Sequence, residues 1–420
     1  MKKMKTMKKK NLIKILIGCL IISTCLITLV ILPNFKKIKE YQEQKEYERQ
    51  LKKATIVVEL KKDLSTIFLE DVKVSQFIEN INGTIIDDYK IDTSIVGEKE
   101  IKFEYINDEN IKIPYQYTIN IKDITPPSIW LNDTYSITTD YNGSLLEDIV
   151  CADDYDDNPN CEIIGEYDTK KVGNYNLKFQ ATDNSGNITT KDFTLKVSTP
   201  TASNPSEPSK PTYTYLSDVI KNHKTDKTKI GIDVSSWQGD INFQAVKDAG
   251  VEFVFIRVGS TRGIGSEYFV DKKFQQNIEG FNKVGIPVGI YFYSYANSKE
   301  SAINDANWVL ENIKGYRIDL PIAYDWESWS FFNEFHQSFY STTRNAKAFL
   351  DTISNAGYTG VLYSSKNYLE KVWYDTGYET WLAHYTKQTS YKGQYRYWQM
   401  CSNGRVDGIN GNVDINIMYL

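Results

Sequence analysis

The sequence predicts a multidomain chain: an N-terminal transmembrane helix, two small β-sandwich units and a C-terminal β/α barrel. Three observations predict it. Ile15 to Leu32 carries no charge, a residue pattern recurs at an offset of 76, and after Lys229 short apolar runs alternate with longer helical stretches. At 420 residues the chain has room for several domains. Its net charge of -5 leaves no dominant basic surface, which argues against a nucleic-acid partner. The three histidines (His223, His336 and His384) form no cluster with cysteine at metal-ligand spacing. No Gly-rich phosphate loop is present, so neither a metal nor a cofactor is expected.

Residues 1–10 hold six lysines and no acid. They read as a basic cytoplasmic tail ahead of an anchor at 11–35, which is long enough as a helix to cross a bilayer core. The positive-inside bias then puts the remainder, with its C-terminal domain, outside the cell membrane and facing the wall. A cleaved signal peptide and a lipoprotein-type modification at Cys19, in Leu16-Ile17-Gly18-Cys19, are the competing readings. Residues 36–53 alternate Glu and Lys and read as a solvated charged helix.

The repeat comes next. Asp92-Thr93, Val96-Gly97 and Ile101-Lys102-Phe103 recur as Asp168-Thr169, Val172-Gly173 and Leu177-Lys178-Phe179. Two copies of one unit are therefore expected, at 54–123 and 124–198. Alternating runs such as Asp192 to Val197, separated by turns such as Asn184-Ser185-Gly186-Asn187, suit short strands of a β-sandwich. Ala181 to Asn187 and the Thr125-Pro126-Pro127 junction resemble bacterial immunoglobulin-like surface domains. That resemblance implies spacers. Cys151 and Cys161 flank a run containing Asp153, Asp154, Asp156 and Asp157. In an oxidising exterior the two cysteines are candidates for a disulfide. The aspartates offer oxygen ligands for calcium, against the plainer reading of a solvated acidic loop. Cys401 has no evident partner and reads as a packed free thiol. Residues 199–228, with Pro200, Pro205, Pro208 and Pro211, read as an extended linker.

The remaining 229–420 predicts strands near 229–233, 253–258, 286–293, 320–326, 360–364, 380–383, 395–400 and 413–417. Amphipathic stretches lie between several of them. This pattern suits a compact TIM-like barrel with some helices reduced, whose chemistry would sit at the C-terminal strand ends. Asp233 ends the first strand, Asp325 and Glu327 end the fourth, and Asp414 opens the eighth. In Asp325-Trp326-Glu327 the two acids share one strand face while the tryptophan turns away. Side by side they cannot both ionise cheaply, which is the condition for one acid and one carboxylate to act together on a glycosidic bond. Trp237, Tyr291, Tyr293, Trp381, Tyr385 and Trp398 suit a sugar-binding groove. Arg257 and His384 point to the same mouth by strand parity.

The motifs Gly231 to Gly239, Pro287 to Tyr293, Asp325-Trp326-Glu327, and Trp398-Gln399 followed by Gly411 to Asn416 resemble, in order, those of glycoside hydrolase family 25 lysozymes. The resemblance implies a muramidase with peptidoglycan as its partner, cutting the β-1,4 bond from N-acetylmuramic acid to N-acetylglucosamine. It implies Glu327 as general acid/base and Asp325 as the second essential carboxylate, acting directly or through the substrate's acetamido group. Asp233 and Asp414 would position the sugar, with Tyr291, Tyr293, Trp381 and Trp398 as further substrate-binding residues. After the second strand, Arg257 to Gly263 replaces a longer acidic stretch common in the family. A chitinase-like enzyme would need an acid where Ala323 stands. The reading from a different class is an inactive wall-binding scaffold. The sequence specifies neither oligomeric state nor biological role.

Overall fold

The computed structural model describes residues 32–200, 212–327 and 336–420, and the chain divides into two units, Met1–Ile124 and Thr125–Leu420. The anchor expected at 11–35 lies almost wholly outside the described residues. The helix that begins there, Leu32–Leu51, is charged along its length, with Lys36–Glu40 and Lys39–Glu43 pairs one turn apart. Among the described residues no helix is long and apolar enough to cross a membrane. The expected transmembrane fold class and single-pass membrane location are therefore not upheld.

In the first unit, alternation dictates the architecture. Ile101, Phe103 and Tyr105 on one strand, and Ile113, Tyr117, Ile119 and Ile121 on the next, turn inward while mostly charged or polar neighbours turn out. These strands, Gly97–Asn107 and Lys112–Lys122, form the centre of a four-stranded sheet. Ser65–Ile67 and Gly83–Ile85 are its edges. A two-stranded sheet, Val58–Leu60 with Ile78–Ile81, accompanies it.

The second unit opens with the same pattern. Gly173–Thr182 pairs with Ile188–Ser198 so that Gly173 faces Val197, as Gly97 faces Ile121 in the first unit. The sequence repeat is thus a repeat of hairpin register. Cys151 and Cys161 are bonded to each other, and their loop is not the solvated loop expected, because Asp153, Asp154 and Asp156 are buried. The Asp153 carboxylate accepts from the backbone of Tyr155 and Asp156. Asp156 accepts from Asn158 and Asn184.

From Thr214 the chain builds a barrel. Its strands are β1 (Thr228–Val234), β2 (Phe253–Thr261), β3 (Val288–Tyr293), β4 (Ile322–Asp325), β5 (Gly360–Ser365), β6 (Glu379–Ala383), β7 (Tyr397–Arg405) and β8 (Val413–Tyr419). Helices α1 (Leu216–His223), α2 (Phe243–Asp248), α3 (Phe274–Val284), α4 (Lys299–Asn312), α5 (Phe339–Asn355) and α6 (Lys366–Lys371) supply the outer layer. Strands β1 to β7 run parallel, and β8 closes the ring antiparallel to both β7 and β1. The TIM-like barrel expected from the alternation is corrected on this point. A parallel crossover needs about a dozen residues or more, and the connection Val406–Asn412 between β7 and β8 is too short for one. No helix separates β6 from β7 either, so the outer layer is incomplete. Helix α1 lies within what the sequence suggested was linker. Its Leu216 and Val219 are buried in the barrel's outer core.

Strand parity sorts the barrel's side chains into two cores. Ile322, Tyr324 and Trp326 face the helices. Ala323 joins Phe253, Phe255, Val361, Trp381 and Tyr397 inside the ring. Gly231 and Gly289 leave the room those rings fill: a Cβ on Gly231 would stand 2.6 Å from Phe253, and one on Gly289 2.5 Å from Phe255.

The β-sheet portion of the second unit meets the barrel at the start of α5. The first N–H groups of a helix lack partners within it. Here the Asp153 and Asp154 carbonyls accept from Phe339 and Tyr340, and the Asp157 carboxylate accepts from Ser338 at 2.7 Å. Trp130 stands edge-on to Phe339, ring centres 5.7 Å apart. An acid at a helix N-terminus is favoured by the helix dipole as well.

Candidate active site

The acids meet at one end of the barrel because of strand direction. Asp233 and Asp414 are direct cross-strand partners in the antiparallel β1–β8 pair. Had β8 run parallel, the start of that strand would lie at the opposite end. Asp325 lies inside the ring, level with Tyr293 of β3 and Tyr363 of β5. Glu327 follows two residues on, beyond the end of β4 and exposed at the rim. Its side chain and that of Tyr363 line one hollow. Between Asp325 and Glu327, Trp326 is fully buried on the outer side against Tyr368 and Trp373.

A chain of donors holds Asp233. Gln399 Nε2 donates to Asp233 Oδ2 at 2.9 Å, and Asn416 Nδ2 donates to the same oxygen at 2.7 Å. Gln399 Oε1 accepts from the hydroxyls of Tyr363 and Tyr385. Asn416 Oδ1 accepts from Trp381 Nε1 at 2.8 Å. Behind Asp325, Ser294 N–H donates to its carbonyl, and the Ser294 hydroxyl donates to buried Asp305.

Concentrating four carboxyl groups has an electrostatic consequence. Burial raises Asp325 well above the usual carboxylate range; Glu327 and Asp233 raise it further, and Arg257 pulls it back. Burial likewise raises Asp233, opposed by hydrogen bonds from Gln399 and Asn416. Asp414 is pushed up to about 9, by burial first and by Asp233 second. Glu327 is raised by burial of its carboxyl, opposed by its hydrogen bonds to Tyr363 and Asp325. Four such groups cannot all be charged in one small space, so near neutrality the cluster retains protons. A site that holds both a proton donor and a carboxylate is equipped for general acid–base chemistry.

The residues expected at the site do not all meet there. Asp233, Asp325, Glu327 and Asp414 converge, and Tyr291 lies half-buried beside them, near enough for the charges of Asp233, Asp325 and Asp414 to act on its hydroxyl. Tyr293 stands level with Asp325, its ring 5.3 Å from that of Tyr295. Trp381 lies in the ring's floor, stacked on Phe255 at 4.2 Å; it touches the site through Asn416 and through the rings of Tyr363 and Tyr291. Trp398 is on the other side of the wall: its ring packs on His223 of α1 and its Nε1 donates to the His384 carbonyl. Strand parity explains the difference, since Trp398 and Gln399 are neighbours on β7 and face opposite ways. Arg257 is tied to Asp271 and Ser236. A hollow of about 490 Å³ opens beside Glu327, bordered by Tyr363, Tyr368, His384 and Tyr385. The sequence reading missed Gln399, Asn416 and Tyr363 as functional residues. Parity from Asp414 to Asn416 was the signal for one of them.

Comparison with known proteins fits this geometry. Residues 232–409 match the family model of glycosyl hydrolases family 25. Among curated proteins, the chain is similar to an autolytic lysozyme of Clostridium acetobutylicum. They are 29% identical over 189 residues, covering 44% of this chain and 54% of that protein. It is also similar to lysozyme M1 of Streptomyces globisporus, 28% identical over 215 residues, covering 44% of this chain and 66% of that one. The first of these relatives is thus matched over about half its length. A solved structure of the modular autolysin LytC from Streptococcus pneumoniae aligns with a TM-score of 0.43 at 26% identity, covering 58% of this chain and 56% of that one.

Proposed function

We propose that this protein is a peptidoglycan hydrolase that cleaves the β-1,4 bond between N-acetylmuramic acid and N-acetylglucosamine. The observation that carries the reading is the convergence of Asp233, Asp325, Glu327 and Asp414 on one mouth, with Glu327 at the solvent edge. Glu327 protonates the leaving oxygen and then activates water, a role that a raised pKa suits. Asp325 stabilises the positive charge that develops on the sugar, or orients the acetamido group that attacks it. Asp233 and Asp414 position the sugar, with Tyr291 and Tyr293 beside them. The two β-sheet units serve as spacers of the immunoglobulin-like kind.

Zymography on purified cell walls tests the enzyme against the inactive scaffold. The expected result is a clearing band that Glu327→Gln lacks; equal clearing by both removes Glu327 from its role. Mass spectrometry of the fragments tests the bond. Muramic acid at the new reducing ends supports the reading, and glucosamine there rejects it.

A further inference from the structure

A second hollow, of about 780 Å³, lies against the outer flank of β7. One wall is the segment that precedes the family 25 match. Thr214 and Tyr215 add a short parallel strand beside Gly404 and Arg405, and α1 follows. The segment is firmly held. Asn403 donates to the Thr212 carbonyl and accepts from the Thr214 hydroxyl, and the Arg405 guanidinium lies 3.8 Å over the Tyr213 ring. The opposite wall is the loop after β6, with Tyr385 and Lys387. Tyr385 also borders the hollow beside Glu327, so the two spaces share a wall.

The chemistry of the walls points to an occupant. Tyr215 and Tyr385 remain 53% and 56% exposed although they sit on ordered backbone. The Tyr385 hydroxyl is fixed to Gln399 at 3.0 Å, so its ring is held in place before anything binds. Fixed, exposed phenol rings flanked by amide, hydroxyl and ammonium groups match a pyranose, which is apolar on its C–H face and polar at its edge. We propose that this hollow is an accessory subsite for N-acetylated hexosamine units of the same glycan strand, lying beyond the pair that is cut. Tyr215 supplies its platform, and Tyr385 makes it continuous with the cleavage site. The subsite rests on the glycosidase reading, because the shared strand is what joins the two hollows.

The test compares the full-length chain with its Tyr215→Ala variant on peptide-free glycan strands, as tetrasaccharide and octasaccharide. The Tyr215 side chain makes no capping bond to α1, so its truncation spares the fold. The octasaccharide should have the higher kcat/KM in the unaltered protein, and Tyr215→Ala should lower that preference by about tenfold, mostly through KM. An unchanged preference in the variant, or none in the unaltered protein, overturns the subsite while leaving the glycosidase intact. Failure of the unaltered protein to cut either substrate overturns the glycosidase reading, and the subsite with it. Calorimetry in a Glu327→Gln background gives a readout free of turnover. The octasaccharide should bind about tenfold more weakly when Tyr215→Ala is added; equal affinity sinks the proposal.

Discussion

The mouth and the floor of the barrel are built on the same strands, a few residues apart, and they obey opposite rules. The floor is dry and filled: Phe253, Phe255, Trp381 and Tyr397 interlock, and glycines on β1 and β3 make room for them. The mouth gathers carboxyl groups that repel one another and lose hydration. What joins the two are hydrogen-bonded lines, from Trp381 through Asn416 and from Tyr363 through Gln399, that both end on Asp233. Rigid packing below lets an electrostatically unfavourable cluster persist above, a division common at active sites.

Four substitutions probe this contrast, beginning with the largest effect. Glu327→Gln at the mouth should lower turnover roughly 10³-fold without lowering stability, because the general acid is lost and its shape is kept. Turbidity loss of cell-wall suspensions measures the first, and thermal melting the second. Trp381→Ala in the floor should cost about 3–5 kcal/mol by leaving a cavity, read by urea denaturation; a cost below about 1 kcal/mol would show that the floor does not support the mouth.

Asp414→Asn should do the reverse and stabilise. Asp414 is raised to about 9, so the folded chain holds a proton that the unfolded chain has released above its ordinary value near ~3.9. The native state is therefore favoured most below that ordinary value and loses this advantage as pH climbs toward about 9. The Asn variant escapes the loss. Its melting temperature should exceed that of the unaltered protein by roughly 2–4 °C near neutrality, and the gap should close in acid. A gap that widens in acid would reverse the assigned sign. The smallest effect is expected outside the ring: Trp398→Phe should change kcat/KM by no more than about twofold, since its ring faces α1 and not the mouth. A larger loss would return Trp398 to the substrate.

Much of this contrast was legible in the chain. The fourth strand's alternation places Ala323 and Asp325 inside and Tyr324 and Trp326 outside, as period-two parity requires. Eight strand positions were readable from apolar runs. Trp398 was not placed correctly, because aromatic character alone does not say which face of a wall a ring takes. The acidic run Asp153 to Asp157 suggested solvent or calcium. Its backbone and Asp157 also satisfy the start of α5, a helix almost two hundred residues away in sequence, and no local pattern encodes such a partner.

The sequence by itself determined the strands, the facing of the fourth strand's side chains and the identity of the acids, because alternation and apolar runs are local properties. Only the tertiary structure decided the direction of β8. That direction brings Asp414, at the start of its strand, level with Asp233, at the end of its own. Ring closure is a non-local constraint, set by the short link between β7 and β8, and it converts scattered carboxyl groups into one site.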